Sequence, residues 1–119
     1  MAKKIKRIDL STSGNETVYS DTLFGRVLMV VLTYGAGSAT TVDTTIEDEV
    51  SGDDFISLTD SSSNRVLRPR VKTQDLNANN LDSSNNPWVE YIVAGRIAMT
   101  TAQQNTAIAV DAGIYLEEF

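Results

Sequence analysis

The sequence has no cysteine and no histidine, and only two prolines and one tryptophan in 119 residues. Without cysteine there is no disulfide framework; this leaves the compartment open, since cytosolic proteins and assembled particles both manage without. Without histidine, ordinary zinc, haem and copper sites are not expected, and Ser-His-Asp and Cys-His catalysis are excluded. Long apolar runs are also missing. The longest, Val27 to Leu32, falls far short of the roughly 20 residues that span a bilayer. No apolar stretch follows the basic start, so neither a leader peptide nor membrane association is expected, and the chain reads as soluble.

Positive charge is the scarcer sign, ten Lys and Arg against sixteen Asp and Glu, for a net charge of −6. Such a chain repels phosphate backbones, so nucleic acid is not expected as a partner. Glycosidases need only a carboxylate pair, yet none of the acids sits in a recognisable motif, and no phosphate-cradling glycine loop precedes a helix. The expectation is a protein without catalytic residues, cofactor or metal, and not an enzyme.

What the sequence does contain is alternation. In WVEYIVAGRIAMT, Trp88 to Thr100, the odd positions Val89, Tyr91, Val93, Gly95, Ile97 and Met99 are apolar or small. The even series carries Trp88, Glu90 and Arg96, so a long strand with one core face is predicted. Residues 106–118 alternate likewise, with Thr106, Ile108, Val110, Ala112, Ile114 and Leu116 as the inward series. About five turn residues separate the two, which predicts a hairpin. Between Gly25 and Gly35, RVLMVVLTY is apolar on both faces, so it lies centrally or beneath a partner. Short strands punctuated by Gly, Asn and Ser point to an all-β, antiparallel β-sandwich, jelly-roll-like, of about six to eight strands.

Residues 1–10 show neither period and read as an extended basic arm bearing Lys3, Lys4, Lys6 and Arg7; residues 11–119 read as a single β-sandwich domain. The stretch RVLRPRVK, Arg65 to Lys72, alternates, with Arg68, Arg70 and Lys72 on one face. Pro69 cannot donate to a ladder and places this strand at an edge or bulge. The basic stripe serves either an acidic partner or edge protection. Acids crowd residues 47–54; they form a solvated loop or a partner-facing patch, with calcium binding as the metal alternative. Trp88, on the polar face of its strand, suits an interface or a sugar. Residues 74–87 are turn-rich and too long for an ordinary hairpin loop.

Four segments, TTIEDEVSGDDF, RVLRPRVK, VAGRIAMTTA and AVDAGIYLEE, together resemble a group of small β-rich virion proteins of tailed bacteriophages, the capsid decoration or cement-like proteins. The resemblance implies a jelly-roll-like sandwich made in the bacterial host cytoplasm and bound to the capsid exterior. Its partner would be the major capsid protein, and it would form a homo-oligomer, with a trimer favoured. Lys3, Lys4, Lys6, Arg7, Arg68, Arg70, Lys72 and Trp88 are the candidate partner-binding residues, the arm on its charge alone. The alternative from another class is a carbohydrate-binding or adhesin module, including a head-fibre or tail component.

Overall fold

The computed structural model describes residues 4–72 and 88–119, leaving the side chains of Lys72 and Trp88 aside. All regular structure among them is antiparallel β: β1 (Lys4–Ser13), β2 (Glu16–Tyr34), β3 (Asp43–Asp48), β4 (Asp54–Leu58), β5 (Arg65–Leu67), β6 (Arg70–Lys72), β7 (Trp88–Glu90), β8 (Ile92–Ala102) and β9 (Ala109–Glu118). The main sheet runs β1-β9-β2-β8-β3-β4, with β5 also on β2; β6 and β7 form a separate pair.

β2 carries this arrangement. Its first half pairs with β8, from Glu16↔Thr101 to Arg26↔Ile92. Its second half pairs with β9, from Gly25↔Glu118 to Tyr34↔Val110. The sheet thereby folds over on itself, β8, β3 and β4 on one layer and β1, β9 and β5 on the other. Buried hydroxyl pairs bridge strands that are not ladder neighbours: Thr101 with Thr12 at 2.9 Å, and Tyr34 with Thr44 at 2.9 Å. Both layers feed one core, which includes Leu32, Ile46, Ile97, Met99, Ile114 and Leu116. The expected all-β sandwich is therefore the observed class.

The stretch 26–34 looked apolar on both faces because the inward face of β2 changes within it, the second of two such changes along the strand. The register shifts between Tyr19 and Thr22 against β8, and between Val27 and Met29 against β9. Each extra residue flips the alternation, because side chains repeat with a period of two. Val18 packs inward before the first shift, Leu23 and Val27 between the two, and Val30, Leu32 and Tyr34 after the second. At the first shift the Ser20 hydroxyl accepts from the Ile97 amide at 2.9 Å, replacing the missing ladder partner.

Several expectations are corrected. Residues 4–10, expected as an extended arm, are extended but belong to the sheet: with residues 11–13 they form edge strand β1, which pairs with β9 over its whole length and buries Ile8 and Leu10. The proposed boundary at residue 10 thus falls inside a strand. β8 and β9 form no hairpin, since β2 lies between them. Their connection instead crosses between layers, with Gln103 and Ala107 in the left-handed region at φ 56 and 62. Gln104 anchors it, accepting from Ala39 N and donating from its own backbone amide to Asn15 Oδ1. The strand expected over 88–100 breaks at Tyr91, whose carbonyl accepts from Val27 N at 2.8 Å. Val89, expected in the core, is exposed, whereas Tyr91, Val93, Ile97 and Met99 are buried. Residues 65–72 are two strands rather than one, parted by Arg68 and Pro69.

Two outcomes follow for stability. Deleting residues 1–9 removes the buried Ile8 and most of β1, so denaturant unfolding should show a loss of at least the roughly 1.5–3 kcal/mol of one buried aliphatic side chain; an unshifted midpoint would restore the free arm. Gly25 stands where β2 pairs with Val93 and Glu118 at once, and a Cβ there would collide with the Glu117 carbonyl oxygen. Gly25→Ala should destabilise by roughly 1–3 kcal/mol in the same assay.

Candidate partner-binding surface

The cations of β1 are held close to acids. Lys4 and Lys6 reach Glu118 at 3.9 and 3.7 Å. Arg7 bonds Asp9 at 2.8 Å and lies over the Tyr115 ring, 5.7 Å from its centre. The hydrogen bond to Asp9 raises the Arg7 pKa, which keeps an always-charged group charged. Lys3 lies outside the described residues.

The single strand expected to carry a basic stripe over residues 65–72 is interrupted at Arg68 and Pro69. Arg68 is exposed beside a shallow cleft that includes Phe55, Leu58 and Pro69. Arg70, in the separate β6–β7 pair, is 3.9 Å from Glu90 and bonds the Pro69 carbonyl. Lys72 and Trp88 are backbone partners in that same pair, and their side chains lie outside the described residues. The structure therefore brings Lys4 and Lys6 together at Glu118, sets Arg7 on the opposite face of β1 beside Asp9 and Tyr115, and places Arg70 on another sheet. Pro69 is the physical cause, because it interrupts the ladder that would have carried one stripe.

The acidic segment 47–54 is a clasp over β8. Asp48 is buried; its carboxylate accepts from the Val50 amide at 3.0 Å, and its backbone amide bonds the Asp53 carbonyl. Glu49 pairs with Arg96 at 2.7 Å, and that guanidinium stacks 4.4 Å from the centre of the Tyr19 ring. The hydrogen bond that Arg96 donates to Glu49 raises the Arg96 pKa. Val50 lies directly over Gly95, leaving no room for a Cβ there. Among the described residues, no three acids converge as metal ligands.

Beneath the clasp, Tyr91 stacks on Phe55 with ring centres 4.8 Å apart and shares a 3.2 Å hydrogen bond with the Ser51 hydroxyl. It borders a cleft of about 370 Å³ that also meets Asp48, Asp53, Val89 and Glu90. Burial raises the Tyr91 pKa, the Ser51 bond opposes that, and Asp48 and Asp53 add to the rise.

A surface that the alternation did not reveal lies at the end of the sheet where β1, β9, β2 and β8 run side by side. Their registers set Ile5, Glu117, Arg26 and Ile92 in one cross-strand row. Next to it, Phe24 and Phe119 meet edge to face at 5.0 Å, with the Arg26 guanidinium 5.9 Å from the Phe119 ring centre. Ile5, Phe24, Ile92 and Phe119 are each more than half exposed. The available signal was Ile92, an isoleucine in the otherwise wet series of its strand. Phe24 fell outside the predicted central strand and Ile5 inside the supposed arm, so their convergence depended on strand order.

No family model, curated protein or solved structure matches this chain.

The Tyr91 environment sets a pH dependence. A phenol whose folded pKa exceeds its unfolded value near 10 favours the neutral form. Its contribution is complete below about pH 10 and is lost as pH rises through the folded pKa. Tyr91→Phe should therefore lose less stability than wild type when denaturation is compared at about pH 9 and 11; identical slopes would place the titration elsewhere.

Proposed function

We propose that this protein is a structural component of a bacteriophage virion, a decoration or cement protein that binds the major capsid protein on the capsid exterior. The observation that supports this reading best is the exposed group Ile5, Phe24, Ile92 and Phe119, with Glu117 and Arg26 set between Ile5 and Ile92. Exposed apolar side chains grouped on one face with charge among them mark a contact site for another macromolecule. Its strands are fixed by pairing across four neighbours, so little conformational entropy is lost on docking. A lattice offers many such contacts at once, and weak individual affinity then suffices through effective concentration. The charged β1 residues beside the patch set orientation more than affinity.

Phe24→Ser combined with Ile92→Ser tests this. Both side chains are exposed, so the variant should stay folded by thermal melting and lose at least tenfold in cosedimentation with capsids. Undiminished capsid binding would reject this surface. Glycan-array binding without capsid association would reject the capsid reading in favour of a carbohydrate-binding module.

A further inference from the structure

The outermost strand of the layer formed by β1, β9 and β5 has one edge that no other described strand pairs. β1 is ten residues long, and its far edge offers backbone donors and acceptors to whatever aligns with it. Edge strands are usually guarded by lysines that project into the approach path. Here Lys4 and Lys6 turn toward Glu118 on β9, the opposite side from the open edge. The guard is drawn aside.

We propose that β1 is a homotypic docking edge, where two copies of this chain join β1 to β1 antiparallel about a two-fold axis at Ile8. The occupant is selected by charge. A two-fold axis perpendicular to the sheet keeps each side-chain series on its own face, so the axis must pass through a residue position. Placed at Lys6, Arg7 or Asp9, it would set identical charges directly opposite one another, which is unfavourable. Placed at Leu10, it would oppose Arg7 and Asp9 only to serines. Placed at Ile8, it sets Arg7 against Asp9 of the second copy, twice by symmetry. Both side chains are exposed, at 58% and 70%, and each copy already holds them as a 2.8 Å ion pair that the second copy's pair can join. The result is a four-charge cluster on the outer face, flanked by Lys6 opposite Leu10 on the inner one. Cross-strand partners of opposite sign stabilise a ladder, and here they also fix its register. This edge does not depend on the capsid reading. It selects a dimer, where the family resemblance implies a trimer.

The test is solution mass by light scattering on the full chain, with thermal melting to confirm folding. Wild type should have twice the 13.0 kDa of one chain. Arg7→Asp alone opposes two acids across the axis, and Asp9→Arg alone opposes two arginines, so each should halve the mass. An equimolar mixture of these two variants, and the double variant R7D/D9R, should each recover the doubled mass, because opposite charges again face one another. A single-chain or three-chain mass for wild type overturns the proposal. So does a dimer that survives either single reversal, or a mixture that stays monomeric. Capsid cosedimentation plays no part in these outcomes, so either idea can fail while the other stands.

Discussion

At Gly25 and Arg26 one backbone answers to two neighbours. Gly25 pairs with Val93 and Glu118, and Arg26 with Ile92 and Glu117, so β8 and β9 must both approach β2 at this point. The Glu117 carbonyl oxygen sits where a Cβ would stand, which is why the position admits only glycine. From this crossing the two layers diverge with their inner faces toward each other. The core, the clasp over Gly95 and the exposed aromatic end are all positioned by it. Favourable burial is spread over many side chains, but the geometry that permits it is concentrated in one residue's missing carbon.

Polar contacts add specificity where they are buried and little where they are wet. The pairs of Lys4 and Lys6 with Glu118 and of Arg7 with Asp9 are exposed, and pairs of that kind are worth about 0–1 kcal/mol. The hydroxyl link between layers is different. The Thr101 hydroxyl lies 2.9 Å from that of Thr12 and 2.7 Å from the Gly14 carbonyl, to which it can donate. These contacts tie the β1–β2 turn to the opposite layer.

Local alternation made the class and much of the core legible: Tyr91, Val93, Ile97, Met99, Val110, Ala112, Ile114 and Leu116 are buried as their period requires. Strand order was not legible. The turn after β8 looked like a hairpin because nothing in its composition announces left-handed Gln103 and Ala107. β1 looked like an arm because its inward series begins with Lys4 and Lys6 before reaching Ile8 and Leu10. Of the candidate site, the charges could be read but their partners could not. Glu118 is more than a hundred residues from Lys4, and the patch joins residues from four strands. Pro69 was marked as placing its segment at an edge or bulge, and β5 and β6 on either side of it each pair with one strand among the described residues; that they belong to different sheets was not legible.

The two phase changes in β2 have a further consequence. They nearly cancel, restoring in the second half the inward parity that the first half began with. The strand therefore behaves like a reading frame. Side chains along it can be exchanged for others of similar volume, but an inserted or deleted residue between the shifts would turn one layer's apolar series toward water while leaving the other intact. Divergent forms of this protein must keep the number of residues from Tyr19 to Met29 even where, Gly25 apart, they keep few of the identities.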